Sequence, residues 1–156
     1  MPEFGDMFME SKGEPIAYEG RKIVMLDRYP ARLGQRLLVT IESTDSPWPQ
    51  GVGISEGVRV FGERDKAVVV WEYSSIDPDR REEERSSLPW SFEVECRNKQ
   101  GFLSFYNMTE FKGRHEWWTR GHALFVEELE NGRRYNCNDF APDDDFNDLI
   151  FTVTEL

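Results

Sequence analysis

The densest chemistry in the chain lies in Asn138-Asp139-Phe140-Ala141-Pro142-Asp143-Asp144-Asp145-Phe146-Asn147-Asp148, where five Asp fall within ten residues and no Lys or Arg follows Arg134. Carboxylates held this close repel one another, and a hard cation removes the repulsion. Calcium takes about 6–8 oxygen ligands, drawn from carboxylates, Asn carbonyls and backbone carbonyls. Asp143-x-Asp145-x-Asn147 has the alternation of a calcium loop. The candidate ligands are therefore Asp139, Asp143, Asp145, Asn147 and Asp148, with calcium the candidate ion and magnesium an alternative. The segment is not an EF-hand, because Asp148 stands where that loop needs Gly and Thr154 where it needs a bidentate Glu. The same residue types also build tight loops with no ion, since Asp and Asn side chains accept bonds from nearby amides.

A second cluster is aromatic. Trp48 sits in a Pro-flanked loop, and Trp117 and Trp118 follow His115 after one residue, Glu116. Flat rings on a rigid scaffold stack on sugar faces or anchor a protein partner. These four residues are candidate ligand contacts, although adjacent Trp117 and Trp118 must point to opposite faces of a strand, which sends one of them inward. Trp71 and Trp90 lie in strong strand patterns and read as core. His115-Glu116-Trp117-Trp118-Thr119 starts like a zinc-protease helix, but Thr119 replaces the second His and the chain holds two His in all. The sequence has no Gly-rich phosphate loop and no nucleophile elbow, and no Ser, His and Asp spacing singles out a triad. A carboxylate pair such as Glu127 and Asp139 keeps a glycan-acting hydrolase as the alternative function. A metal-free assembly or interaction protein is a third reading.

The end of the chain adds a resemblance. Asp143-Asp144-Asp145-Phe146-Asn147-Asp148-Leu149 resembles the D-x-D-[FY]-N-D-[LIV] signature that closes a class of bacterial β-sandwich domains of unknown function. Those domains are frequent in secreted and adhesin-like proteins. The resemblance covers about the last twenty residues and implies a calcium-binding loop, with Asp143, Asp145, Asn147 and Asp148 carrying the ion. The chain departs from that class in having neither an export signal nor Gly-rich linkers.

The elements that must hold these groups read as strands. Leu37, Val39 and Ile41 alternate with Leu38 and Thr40, and Trp90, Phe92, Val94 and Cys96 alternate with Ser91, Glu93, Glu95 and Arg97. Val58 and Val60, the run Ala67 to Tyr73, and Leu149 to Val153 add further strands. Asn131-Gly132 predicts a type I′ hairpin that pairs Glu130 with Arg133 and sets Leu124, Val126, Tyr135 and Cys137 on one face. One short surface helix or turn is expected near 77–87, opened by Asp77 and Pro78. The expected fold is all-β, an antiparallel β-sandwich or jelly roll of about seven to nine strands, with residues 1–20 a loosely held arm and 21–156 a single domain.

With 156 residues and 38% hydrophobic composition, the chain can bury a core without staples. Cys96 and Cys137 read as buried free thiols. The net charge of −11 argues against nucleic-acid and anionic-membrane partners, and no apolar run reaches the roughly 20 residues of a membrane span. Without a signal peptide the expected location is the cytoplasm. Together these features predict a non-enzymatic binding or structural domain with calcium as cofactor and a carbohydrate or protein as possible partner.

Overall fold

The structure, a computed structural model, describes residues 3–72, 88–117, 120–139, 141 and 144–156. The helix or turn expected near 77–87 lies outside the described residues, as do Trp118 and Asp143. After one short helix, α1 (Phe4–Glu10), come twelve strands among the described residues: β1 (Ile16–Tyr18), β2 (Arg21–Ile23), β3 (Asp27–Pro30), β4 (Arg36–Thr44), β5 (Gln50–Val60), β6 (Glu63–Trp71), β7 (Trp90–Cys96), β8 (Phe102–Phe111), β9 (Arg114–Glu116), β10 (Ala123–Leu129), β11 (Gly132–Asn138) and β12 (Leu149–Glu155). The fold is all-β, as the period-2 patterns predict. The strands beyond the expected seven to nine include β1, β2 and β9, whose three residues are too few to show a period.

All strand pairs are antiparallel. The main sheet runs β10-β11-β12-β4-β7-β5-β8-β3, with β6 added along β5 and β9 along β8. Strand β5 bends the sheet over on itself. Its first half, Gln50 to Ser55, pairs with β8, whereas Val58 to Val60 pair with β7, and the register with β6 slips between Ser55 and Val58. An extra residue in one strand kinks it and strengthens its twist, which is how one strand serves two layers. The Val24–Leu124 bridge then draws the two ends of the sheet together into a flattened, nearly closed barrel.

The interior is filled by the residues that alternate inward. Leu37, Val39 and Ile41 of β4, Val94 and Cys96 of β7, and Leu149, Phe151 and Val153 of β12 are buried in one cluster with Tyr135 and Cys137. Tyr135 stacks between Phe105 and Phe151, with ring centroids 6.0 and 4.7 Å away. Residues 1–20 read from the sequence as a loosely held arm, and the described part, residues 3–20, carries α1 and β1. Phe4 and Phe8, one helical turn apart, are buried with Ile23, Ala123 and Phe146 in a second, smaller core. Among the described residues no helix is long and apolar enough to cross a membrane.

One local expectation is corrected. The hairpin at Asn131-Gly132 exists, but Leu129 pairs with Gly132 and Glu128 with Arg133, two steps from the predicted register. The turn residues are therefore Glu130 and Asn131, and neither they nor Gly132 takes a positive φ. A two-step shift preserves the side-chain faces, so Tyr135, Cys137 and Leu124 stay inside together. The positive-φ pair that the turn rule describes occurs instead at Phe61 (φ 53°) and Gly62 (φ 80°), between β5 and β6.

The thiols offer a check on these faces. Cys96 and Cys137 are fully buried, and burial, reinforced by the Asp148 carboxylate, pushes the Cys137 thiol well above its usual range. Both should react slowly with a thiol reagent in the native protein and rapidly in denaturant. Rapid native labelling of either would show that its strand faces the other way.

Candidate binding site

The acidic segment leaves β11 at Asn138 and enters β12 at Leu149, and its own side chains close the loop. The Asp139 carboxylate, 1% exposed, accepts a bond from the Ser46 hydroxyl and another from the Ala141 amide at 2.9 Å. The Asp148 carboxylate accepts the Asp139 amide at 2.9 Å, and the Asn138 side-chain oxygen accepts the Phe146 amide at 2.7 Å. Phe146 takes a left-handed φ of 52° and plugs into the smaller core, 5.6 Å from Phe4 and 5.2 Å from Phe125. Its burial explains why an apolar residue interrupts the Asp run.

The five predicted ligands therefore separate. Asp139 and Asp148 are buried and bonded to the backbone, and Asp143 lies outside the described residues. Asp145 is exposed, while Asp144 accepts a bond from the Tyr18 hydroxyl at 3.1 Å. Asn147 donates through Nδ2 to Asp45 at 3.3 Å, and its Oδ1 is buried without a hydrogen-bond partner. Asp45 is a neighbour that sequence spacing did not identify, because it comes from the end of β4, far away in the chain. Among the described residues, no three His, Cys, Asp or Glu side chains converge as a metal-ligand set.

The hydrolase pair is not assembled. Glu127 pairs across the hairpin with Arg134 and accepts a bond from Asn136 at 2.8 Å. Asp139, just past the end of β11, is five residues beyond Arg134, roughly 17 Å away at strand rise. A cleft of about 480 Å³ beside Ser46 is lined by two other carboxylates, Glu42 and Glu72. Glu42 is paired with Arg134 at 3.5 Å, and buried Glu72 accepts the Gln50 amide at 3.2 Å.

The aromatic residues come together on the outside of the barrel. In β5, Val52 and Ile54 point into the core, so Gly51 and Gly53 face outward. The register sets Gly51 beside Trp71 and Met108, and Gly53 beside Val69 and Tyr106. A Cβ on Gly53 would collide with the Tyr106 ring, and one on Gly51 would lie 2.8 Å from the Trp71 indole. The Trp71 and Tyr106 rings thus occupy the space over the strand because the strand has no side chains there. Tyr106 and Met108 are at least nine-tenths buried yet belong to neither core. The Trp71 ring is 4.8 Å from His115, and the Trp117 ring is 4.8 Å from Tyr106.

No family model, characterised protein or solved structure matches this chain. Its function has to be argued from the geometry of the site.

Of the four aromatic-site candidates, the structure brings His115 and Trp117 into one layer. Trp48 packs apart from them, edge-on to Phe111 with centroids 5.1 Å apart. The strand pattern placed Trp71 in the core. It is instead half-buried in the outer layer, because Val70 takes the inward position and Trp71 the next one out. Trp90 does pack against the core, donating its indole N–H to the Glu72 carbonyl at 2.9 Å. Sequence reasoning missed Trp71 as a half-exposed ring and Tyr106 as the buried ring beside Trp117. The available signal was Gly51-x-Gly53, since glycines on alternate strand positions mark a face that something else covers. Glu110 lies 4.0 Å from His115 at the edge of the layer, whereas Arg114 and Glu116, 3.7 Å apart, pair with Phe111 and Thr109 and so face the other side of the sheet.

Proposed function

We propose that this chain is a non-enzymatic β-sandwich binding domain whose binding surface is the outer aromatic layer of Trp71, Tyr106, His115 and Trp117. The observation that carries the reading is the position of those rings. Interior packing accounts for rings such as Phe105, Tyr135 and Phe151, but it does not require Trp71 and Tyr106 to cover two outward-facing glycines with His115 and Trp117 packed against them. Rigid aromatic groups fixed on strands supply contact area at little entropic cost, which suits a recognition surface. The test is loss of ligand retention when Trp71 or Trp117 becomes alanine while the melting temperature stays within a few degrees of wild type. A domain whose partner binding survives both changes does not use this face.

Calcium at the acidic loop is the second element of the proposal, favoured by the unpartnered Asn147 Oδ1 beside Asp45 and the exposed Asp145. Asp139 and Asp148 then fix the loop, and among the described residues Asp145 and Asn147 are left for the ion. Calcium that binds only the folded chain raises stability by about 2.7 kcal/mol at a hundredfold excess over Kd. That corresponds to a melting shift of roughly 5–10 °C, smaller with magnesium because of its stricter octahedral demand. Asp145→Ala should abolish the shift. Asp148→Ala should lower stability with or without calcium, since it frees the buried Asp139 amide. An unshifted wild-type melt in calcium overturns the ion and leaves a loop closed by hydrogen bonds alone.

A further inference from the structure

We infer that the N-terminal arm, residues 3–20, is a latch on the acidic loop, so that seating of the arm and ion binding at the loop are coupled. The latch stands on packing alone, and its effect on the ion rests on the reading of the loop as a calcium site. Arm and loop meet in the smaller core. Phe4 is fully buried, 5.6 Å from the Phe146 ring, and Phe125 of β10 lies 5.2 Å from the same ring. Tyr18 of β1 makes a second tie: its ring packs edge-on to Phe4 at 5.1 Å, and its hydroxyl donates to Asp144 at 3.1 Å. The arm is fastened to the barrel by the Gly5 amide, which donates to the Arg120 carbonyl at 2.7 Å, and by the pairing of β1 with β2. Phe146 therefore sits in a socket that the arm helps to build.

The seat of Phe146 sets the backbone on either side of it. Its φ of 52° is left-handed, a conformation that a bulky residue keeps only where its surroundings hold it. Asp145 and Asn147, left for the ion, are joined through that one residue. With the arm docked, the buried ring fixes φ, and with it the direction the chain takes from Asp145 to Asn147. With the arm lifted, Phe146 loses Phe4 and its ring opens to water. Return of its φ to the ordinary negative range then turns Asp145 and Asn147 relative to one another. An ion that binds the docked form better must favour docking by the same factor by which docking favours the ion.

The experiment is amide hydrogen exchange on the full chain, followed by calcium titration. Two amides report: that of Phe146, which donates to Asn138 Oδ1 at 2.7 Å, and that of Gly5, which donates to Arg120. Phe4→Ala should speed exchange at Phe146 about tenfold, and Phe146→Ala should do the same at Gly5. Met9→Ala, on the same helix but 67% exposed, should change neither. Amides of β4 and β7 should keep their wild-type rates. An unchanged Phe146 amide in Phe4→Ala overturns the latch. An equal rise across β4 and β7 also overturns it, because the arm would then support the whole barrel. Phe4→Leu, which keeps most of the buried volume, should show the same pattern at smaller amplitude and decides the matter if the alanine variant does not fold. In calorimetric titration with calcium chloride, Phe4→Ala should bind about tenfold more weakly than wild type, and calcium should slow exchange at Gly5 in the wild type. Equal calcium affinities beside a faster Phe146 amide overturn the coupling to the ion. A wild type that binds no calcium overturns the calcium reading instead, and the exchange rates alone then decide the latch.

Discussion

Gly132→Val is expected to destabilise the protein by about 3 kcal/mol or more, lowering its melting temperature by roughly 6–12 °C. The cause is close approach rather than backbone conformation. Gly132 has no positive φ, but a Cβ there collides with the Val153 carbonyl oxygen and lies 2.8 Å from Thr154 Cα in the neighbouring strand. Both are backbone atoms of β12, locked by pairing on either side, so neither can yield cheaply. Gly132→Ala should therefore cost nearly as much as the valine. Asn131→Ala should cost little, because Asn131 is in ordinary φ space and its carbonyl, which accepts the Glu155 amide at 2.9 Å, is kept. The opposite pattern, a tolerated Gly132→Ala with a costly Asn131→Ala, would restore the type I′ turn.

The second large effect belongs to Asp27. Its carboxylate accepts bonds from the Tyr135 hydroxyl at 2.7 Å and from Arg133 at 2.8 Å, tying β3 to β11 across the interior. Asp27→Ala leaves a buried phenol without its acceptor and takes from the four-fifths-buried Arg133 side chain the less exposed of its two carboxylate partners, leaving Glu128 at 2.9 Å. A loss of about 1–3 kcal/mol follows, and Asp27→Asn should be milder because an acceptor oxygen remains. The same contact sets an alkaline limit. Burial first, and then the Asp27 carboxylate, hold the Tyr135 hydroxyl protonated far above its usual range. In the unfolded chain Tyr135 ionises near pH 10, so its contribution is complete below about pH 10 and falls as pH rises beyond it. Denaturant midpoints measured from neutral pH upward should fall above that value, and less steeply in Tyr135→Phe. An equally steep fall in both proteins would remove Tyr135 as the cause.

The legible part of this fold was the part written with period 2. Strands β4, β7 and β12 alternate cleanly because one face of each is core and the other is not, and their buried residues are those the pattern names. The smaller core was hidden. Phe4 and Phe8 show a single helical interval, and their partner Phe146 sits inside an Asp-rich run that reads as pure loop. The aromatic layer was half legible. His115 and Trp117 stood out by type, but Trp71 looked like core because strand periodicity gives two faces and does not say which one holds the interior. The acidic loop stood out most clearly, yet spacing alone cannot separate a side chain that closes a loop from one that faces an ion. That difference depends on Ser46, Asp45 and the backbone amides, which only the fold brings near.

The position of β12 between β11 and β4 has a consequence for how the protein is made. Strand β4 is synthesised before β12, and one of its two hydrogen-bonding edges has no partner until the chain has grown as far as Leu149. Until then Leu37, Val39 and Ile41 belong to an unfinished sheet with an open edge, the kind of surface that recruits other chains. Closure must join segments far apart in the sequence, and that makes folding slow for a domain of this size. Strand β12 is thus a keystone inserted between two strands made before it. A chain that lost it would be left with an exposed seam rather than a smaller barrel.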